Sequence, residues 1–260
     1  MDQKTIGIVG GVGSYAGIDL IRKIYDNTQA STDQEHLPIA MLSVPHRIVD
    51  RSDFILGKTA INPGVSIAEV ILTMAAQGAA VVGIPCNTAH APVIFDVVRE
   101  KVSAHCTLIH MIDAVAHDLA AHNGAVKKVG VLATSGTLQA NIYKHRLADY
   151  GIEVIYPSTD IQELYVQPAI YDQGYGIKAF SNPVSTKARD DLLMASSFLI
   201  KKGAERIILA CTEIPLALTE SDIDGVPLTD ATTIMAKALI RESRTGACAS
   251  NTNSMCEINE

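Results

Sequence analysis

The stretch IPCNTAHAP at residues 84–92 has a counterpart near the end of the chain, LACTEIPLA at residues 209–217. In each stretch an apolar run ends at a cysteine, Cys86 or Cys211, a polar pair follows, and a proline comes a few residues later. The upstream order also repeats, because IGIVGG starts 80 residues before Cys86 and VGVLATSGT starts 82 residues before Cys211. This internal similarity predicts an architecture of two related halves.

Short apolar runs alternate with helix-like patterns along the rest of the chain. The predicted strands are Thr5–Val9, Ile39–Val44, Ala80–Ile84, Thr107–His110, Lys128–Leu132, Glu153–Tyr156 and Arg206–Ala210. The predicted helices are Tyr15–Thr28, Pro63–Gln77, Pro92–Ser103, Ile112–His122, Leu138–Tyr150, Asp160–Tyr171, Asn182–Lys202 and Asp230–Arg241. Such alternation is typical of parallel sheets covered by helices on both faces.

We therefore predict an α/β fold of two similar, doubly wound parallel-sheet lobes related by pseudo-symmetry. The first lobe is expected over residues 1–112 and the second over 113–225, with a final helix in 226–243 that packs back on the first lobe. Ligands of such sheets bind beyond the carboxyl ends of the strands, which places both cysteines in the cleft between the lobes. The polar, aperiodic segment 244–260, with Cys248 and Cys256, is predicted to be a disordered tail.

Composition limits the classes of partner. The 260 residues carry 21 basic and 28 acidic side chains, a net charge of −7, and no basic cluster, which argues against nucleic acid and anionic membranes as partners. No apolar run approaches the roughly 20 residues of a membrane span, and the N-terminus lacks a signal-peptide layout, so we expect a cytoplasmic protein. The five cysteines form no CxxC pair, which makes a disulfide framework improbable.

Cys86 and Cys211 each stand where a predicted strand gives way to a helix. A helix N-terminus lowers the pKa of a thiol and so favours the reactive thiolate. A single cysteine at such a place is more often a small buried core residue. Two cysteines at matching positions of a repeat favour a shared function instead.

The motifs IGIVGGVG, PCNTAH, VLATSGT and CTEIP together resemble those of the aspartate/glutamate racemase superfamily, and most closely the aspartate racemases. The resemblance runs from about residue 4 to residue 241. Glutamate racemases end the first cysteine motif in Ser and place Thr-His after the second cysteine. This sequence has His90 and Glu213 at those places, which favours aspartate as the substrate.

The resemblance implies that Cys86 and Cys211 are the catalytic acid and base, which exchange a proton with Cα of aspartate from opposite faces. It implies a homodimer that needs no cofactor and no metal. Hydroxyl, amide and backbone donors would bind the α-carboxylate, and two cations would bind the side-chain carboxylate. The candidate substrate-binding residues are Gly11, Val12, Gly13, Arg51, Asn87, Thr88, Thr134, Thr137, Lys178 and Thr212. Taken alone, each of these polar side chains is as well explained by a helix cap or a solvated surface position.

Other functions remain open at this level. A broad aspartate/glutamate racemase, or an isomerase or decarboxylase using one or both cysteines, shares the same motifs. A non-catalytic, two-lobed protein that binds an acidic amino acid would need the same carboxylate contacts. The turn from Gly11 to Ala16 nearly matches a dinucleotide fingerprint, but the following strand ends without the acidic residue that would hold a ribose. His90, four residues after Cys86, could share a metal with it, although no second pair of ligands is visible.

Overall fold

The computed structural model describes residues 3–121 and 126–245. All seven predicted strands form, each within one residue of its expected bounds, and two further strands follow them. The strands are β1 (Thr5–Gly10), β2 (Ile39–Ser43), β3 (Ala79–Gly83), β4 (Thr107–Ile109), β5 (Lys128–Ala133), β6 (Glu153–Ile155), β7 (Arg206–Ala210), β8 (Asp222–Ile223) and β9 (Val226–Asp230). His122, Cys248 and Cys256, with most of the predicted tail, lie outside the described residues.

The strands form two sheets, one in each lobe. The first has the order β2-β1-β3-β4 and the second the order β6-β5-β7-β9-β8. Every pairing is parallel except that of β8 with β9. The predicted α/β fold with parallel sheets in two lobes is therefore confirmed. In this topology β3 of the first sheet corresponds to β7 of the second, so the segments after them occupy equivalent places.

Helices cover the sheets on both faces. They are α1 (Ser14–Asp26), α2 (Arg51–Ile55), α3 (Pro63–Ala76), α4 (Pro92–Val102), α5 (Met111–Ala121), α6 (Ser135–Gln139), α7 (Ile142–Ala148), α8 (Thr159–Ile161), α9 (Gln167–Tyr171), α10 (Thr186–Lys201), α11 (Ile214–Ala217) and α12 (Ala231–Arg244). A π-helical turn over Gln162–Val166 joins α8 to α9, so the predicted helix at Asp160–Tyr171 is continuous but irregular. Among the described residues, no helix is both long and apolar enough to cross a membrane.

Local backbone chemistry explains two helices that differ from the prediction. The helix expected over Leu138–Tyr150 is instead the pair α6 and α7, because Asn141 adopts a left-handed conformation with φ 51° and interrupts it. The helix expected from Asn182 begins at Thr186, where the Ser185 side chain caps it by accepting the Ala188 N–H.

Two other segments were assigned to the wrong type of structure. Arg51 lies outside every predicted helix but is the first residue of α2, because the Asp50 carboxylate caps this short helix by accepting the N–H groups of Ser52 and Asp53. Residues 226–230 form strand β9 rather than part of the final helix, and Asp230 caps α12. Helix α12 packs against α1, α5 and β3 of the first lobe.

The apolar core is continuous across the lobes. One buried cluster contains Ile6 and Ile8 of β1 together with Val129 and Val131 of β5, and Met235 of α12 belongs to it as well. Two further clusters cover the other face of each sheet. The lobes are thus packed against each other on one side, while the ends of β3 and β7 face a cleft on the other.

Candidate active site

The two cysteines lie at equivalent strand ends and line the same cavity. Cys86 follows β3 by three residues and immediately precedes a 3₁₀ helix at Asn87–His90, and Cys211 directly follows β7. The side chains are buried, with 7% and 5% of their surface exposed. The repeat in the sequence therefore becomes a pair of thiols that approach one space from two lobes.

That space is nearly closed. It leaves about 10 Å³, close to the room of a single water molecule. An outer pocket of about 640 Å³ adjoins it and shares Arg51, Lys178 and Glu213 with it. The inner cavity is lined by Val12, Arg51, Ser52, Cys86, Asn87, Thr88, Thr134, Tyr171, Lys178, Ala210, Cys211, Thr212 and Glu213.

Arg51 brings a buried cation to Cys86. Its side chain is 6% exposed, and its Nε has no hydrogen-bond partner among the described residues. Burial alone would lower the pKa of Arg51, but interaction with the Cys86 sulfur and the Asp50 carboxylate raises it above its usual value. Arg51 is therefore a permanent positive charge beside one of the two thiols.

Beside Cys211, the buried Glu213 forms an ion pair with the partly exposed Lys178. The Lys178 Nζ lies 2.9 Å from Glu213 Oε1, and the Cys211 thiol donates to Glu213 Oε2 over 3.1 Å. Burial would raise the pKa of Glu213, but Lys178 and Cys211 hold it below its usual value, so the carboxylate is ionised. Burial and this carboxylate together raise the pKa of Cys211 well above its usual value, and Lys178 opposes them only in part.

Three threonine hydroxyls meet across the cleft. Thr88 Oγ1 lies 2.8 Å from Thr137 Oγ1 and 3.2 Å from Thr134 Oγ1, which is itself 3.1 Å from Thr137 Oγ1. Ser52 extends the group, since its hydroxyl donates to Thr134 over 3.1 Å. A hydroxyl group can rotate to donate to an anion, so this cluster offers the type of donor that a carboxylate accepts.

A second buried donor on the cavity wall also lacks a partner. The Asn87 side chain is 2% exposed, and its Oδ1 accepts the Tyr143 hydroxyl over 2.6 Å. This bond orients the amide, and the Asn87 Nδ2 has no partner among the described residues. Asn87 Nδ2 and Arg51 Nε are both donors, so two buried donors without a partner among the described residues are available to an acceptor at this cavity.

The glycine-rich turn packs against Glu213. Gly13 has φ 120°, and a Cβ at this residue would lie 2.4 Å from Glu213 Oε1. Val12 lines the inner cavity, whereas Gly11 and Gly13 line the outer pocket. The candidate residues therefore lie close together, but not all of them line the inner cavity: Gly11 and Gly13 line only the outer pocket, and Thr137 lies behind Thr88 and Thr134.

Thr212 links the two strand ends directly. Its hydroxyl donates to the Pro85 carbonyl over 3.0 Å and lies 3.3 Å from Glu213 Oε2. Its position in the cavity is as expected, but the hydroxyl already has partners in both lobes.

Three residues of the site are not predicted as substrate-binding or catalytic residues from the sequence: Ser52, Tyr171 and Glu213. Ser52 was missed although it follows Arg51. Tyr171 was missed at the end of its helix, yet its hydroxyl lies 3.1 Å from Asp50 Oδ2 and 3.2 Å from Ser52 Oγ. Its ring lies 5.1 Å from the Lys178 Nζ. The signal available in the sequence was its position at the end of a predicted helix, shortly before that lysine. Glu213 was considered only for substrate choice.

His90 lies behind Cys86 and not in the cavity. Its Nδ1 lies 2.9 Å from the Cys86 carbonyl and therefore donates to it, while its ring stacks on Phe95. Burial and the nearby His110 ring lower the pKa of His90 to about 3. No cluster of three or more His, Cys, Asp or Glu side chains suited to a metal occurs in the described part of the chain.

Comparison with known proteins identifies relatives over nearly the whole length. Residues 9–239 match the family model described as Asp/Glu/hydantoin racemase. The chain is 25% identical over 244 residues to the broad specificity amino-acid racemase RacX of Bacillus subtilis, which covers 90% of this chain and 96% of that protein.

Two solved structures extend the comparison. The aspartate racemase of Picrophilus torridus superposes with a TM-score of 0.78 at 28% identity, over 92% of this chain and 94% of that one. The glutamate racemase of Francisella tularensis gives a TM-score of 0.65 at 19% identity, over 93% of this chain and 81% of that one, a likeness of fold alone.

Proposed function

Because the chain belongs to the Asp/Glu/hydantoin racemase family, we propose that it interconverts L- and D-aspartate without a cofactor, by proton transfer between Cα and two thiols. Cys86 and Cys211 are the proposed acid and base. The observation that carries the proposal is the pair of buried thiols that line one cavity from equivalent strand ends of the two lobes.

Inversion at Cα imposes a geometric demand. A proton leaves one face of the substrate, and a proton must arrive on the opposite face. A thiolate in one lobe and a thiol in the other meet this demand, with roles that exchange when the reaction runs in reverse. Because the two thiols share a site, the charge on one of them affects how tightly the other binds its proton.

The donors of the cavity support an acidic amino acid as the substrate. The hydroxyls of Thr88 and Thr134, with the Asn87 Nδ2, are the proposed donors to the α-carboxylate, and Thr137 supports them through its bonds to both threonines. Such donors also stabilise the charge that spreads onto this carboxylate when Cα loses its proton. Arg51 and Lys178, at the boundary with the outer pocket, are the proposed partners of the side-chain carboxylate.

A broader amino-acid racemase is the second candidate. RacX is a broad specificity enzyme, and it is related to this chain over almost its full length. The outer pocket of about 640 Å³ begins at the two cations, so a side chain longer than that of aspartate has space beyond them. We further expect a cytoplasmic homodimer; the oligomeric state is measurable by light scattering during gel filtration.

Chiral chromatography tests the proposal directly. Purified protein is incubated with each enantiomer of aspartate, glutamate and alanine, with and without EDTA, and the products are separated on a chiral column. We expect aspartate to racemise, EDTA to have no effect, and Cys86→Ser and Cys211→Ser each to abolish racemisation. In D₂O the product enantiomer should carry deuterium at Cα from the first turnovers, while recovered substrate stays protiated.

Each other outcome has a distinct meaning. Early deuterium in substrate and product alike, or racemisation by Cys211→Ser, would refute the two-thiol proposal. Racemisation of glutamate or alanine at a similar rate would select the broader enzyme. A melting temperature that rises with aspartate, without any change of enantiomer ratio, would identify a binding protein.

A further inference from the structure

The two thiols of the cavity have opposite electrostatic surroundings. Cys86 shares the wall of the inner cavity with the buried guanidinium of Arg51, which interacts with its sulfur. Cys211 donates a hydrogen bond to a carboxylate, with 3.1 Å between its Sγ and Glu213 Oε2. A neighbouring cation favours a thiolate, whereas a neighbouring anion favours the neutral thiol.

From this asymmetry we infer that Glu213 is a positioning residue that holds the catalytic proton on Cys211 in the resting protein, so that Cys86 is the resting base. Its consequence for turnover rests on the proposed function. The location of the proton itself does not, because it concerns the protein without substrate.

The surroundings of Glu213 fix its carboxylate in this role. Lys178 binds Oε1 over 2.9 Å, which leaves Oε2 directed at the Cys211 thiol. The backbone of Gly13 packs so closely on Oε1 that a side chain there would collide with it. Glu213 is only 4% exposed, so solvent water does not compete with the Cys211 thiol for its carboxylate. Besides Lys178, the charged or titratable groups that face Glu213 and Cys211 are the Arg51 guanidinium and the Tyr171 hydroxyl.

Each turnover moves one proton from Cα to Cys86 and one proton from Cys211 to Cα. Starting from the resting state, the Cys86 thiolate takes the proton from Cα on one face, and the Cys211 thiol gives its proton to Cα on the other. The product state then has a Cys86 thiol and a Cys211 thiolate, the latter beside the Glu213 carboxylate. Return of a proton from Cys86 to Cys211, through solvent or through the reverse reaction, restores the resting state.

This asymmetry has a measurable signature in the kinetics. The two enantiomers have equal free energy, so kcat/KM is the same in both directions for every variant. The ratio of the two kcat values is free to differ, and it reflects the relative stability of the two thiolate states with substrate bound. Glu213→Gln removes the charge that destabilises the Cys211 thiolate, so the kcat of the direction that starts from Cys86 should rise relative to the other by tenfold or more.

Thiol alkylation tests the location of the proton without any turnover. Each protein is treated with iodoacetamide between pH 5 and pH 10, and the modified Cys86 and Cys211 peptides are quantified by mass spectrometry. In the wild-type protein we expect the Cys211 profile to reach its midpoint at a higher pH than the Cys86 profile does. Midpoints are compared because they do not depend on how accessible each thiol is.

Two variants and a control complete the experiment. Glu213→Gln should move the Cys211 midpoint down by at least one pH unit, a tenfold change in thiolate population, whereas Glu213→Asp, which keeps the charge, should restore it toward the wild-type value. Glu69→Gln is the control, since Glu69 is an exposed partner of Arg47 and lines neither the cavity nor the outer pocket. It should move neither profile.

Equal midpoints for the two cysteines in the wild-type protein would overturn the inference, and so would a Cys211 profile that is unmoved in Glu213→Gln. A fall of both kcat values by the same factor would also overturn it, because it would indicate general damage to the site. If no amino acid is racemised while the alkylation profiles behave as expected, the proposed function fails and the assignment of the proton stands.

Discussion

The side chains of the cavity differ in how many hydrogen-bond and ion-pair partners they have within the protein. Lys178 has a carboxylate partner at 2.9 Å, whereas Arg51 donates from Nη1 to the Val49 carbonyl over 3.3 Å and its Nε has no partner among the described residues. A buried donor without a partner costs about 1–3 kcal/mol, so a ligand that supplies an acceptor recovers that free energy. Arg51 is therefore expected to contribute more to the binding of a substrate carboxylate than Lys178 does.

Substitution of Arg51 should separate charge from geometry. Arg51→Ala removes a charge-assisted contact worth roughly 1.5–3 kcal/mol, so kcat/KM for aspartate should fall by about tenfold to a hundredfold. Arg51→Lys keeps the charge but loses the planar fork, and should recover only part of the loss. Steady-state kinetics with aspartate provide the measurement, and unchanged kinetics in Arg51→Ala would exclude Arg51 from the site.

His90 should make the stability of the protein depend on pH. Its pKa is about 3 in the folded protein and about 6.5 in the unfolded chain, so the unfolded chain takes up a proton first as the pH falls. Its contribution is therefore fully present above about pH 6.5 and is lost progressively between pH 6.5 and pH 3, by about 1.4 kcal/mol per pH unit.

His90→Asn offers the matched comparison, because an amide can still donate to the Cys86 carbonyl but does not titrate. Urea unfolding at pH 7 and pH 5 should show that the wild-type protein loses about 2 kcal/mol more than the variant over this interval. An equal loss in both proteins would show that other groups, such as His110, cause the acid sensitivity.

Short helices carry the side chains of the site across the cleft. Helix α2 begins with Arg51 in the first lobe, and α6 carries Thr137 in the second, where Thr134 caps it. They touch closely at Gly136, where an added Cβ would lie 2.6 Å from the Ser52 Cα. The contact is between backbones, so the distance between these two helices sets the distance between the two lobes at the cavity.

Gly136→Ala should force α2 and α6 apart. Since the nearest atom is backbone, overpacking should cost about 1–3 kcal/mol of stability and lower the melting temperature. The hydrogen bond from Ser52 to Thr134 should lengthen, so kcat/KM should fall as well. Gly174→Ala is the control, because a Cβ there would meet only the flexible Asp172 side chain, at 3.3 Å. Equal behaviour of the two variants would argue against a tight contact at Gly136.

The elements also show what a single sequence can predict. The seven strands were predictable because buried parallel strands are short, continuous apolar runs, and the repeat then placed Cys86 and Cys211 at equivalent ends. Strand β9 is not predictable from its own residues because VPLTD contains a proline and is partly polar, and its pairing with β7 and β8 stabilises it as a strand. The break at Asn141 depends on a single left-handed residue, and the bond between Tyr171 and Asp50 spans 121 residues. Neither of these leaves a periodic pattern.

At the scale of the whole molecule, the structure is closed around its cavity. A space of about 10 Å³ does not admit an amino acid, so the walls must move before a substrate enters. Several of the bonds that hold the walls together near the cavity join two hydroxyls, and a hydroxyl can rotate to bond a ligand instead. Substrate entry should therefore change the environment of the outer pocket.

A single introduced fluorophore should report this change. The chain contains no tryptophan, and Phe180 is a 45% exposed side chain that lines the outer pocket. In a Cys86→Ser background, which prevents turnover, the emission of Phe180→Trp should shift on titration with aspartate and saturate. Met194→Trp, at an exposed position of α10 outside this pocket, is the control and should not respond. A Phe180→Trp signal that is indifferent to aspartate would contradict entry by this route.

The return of the last helix to the first lobe has a consequence for synthesis of the chain. Helix α12 covers β3, with Leu239 close against Gly83, and the Lys4 N–H donates to the Ser243 carbonyl over 3.1 Å. A ribosome has therefore translated about 230 residues before the segment that completes the first lobe is made. Until α12 leaves the exit tunnel, the nascent polypeptide presents an uncovered apolar sheet face, which is the kind of surface that chaperones bind. Translation that stops just before Ala231 should leave a chain that contains both cysteine motifs but whose first lobe cannot complete its apolar core.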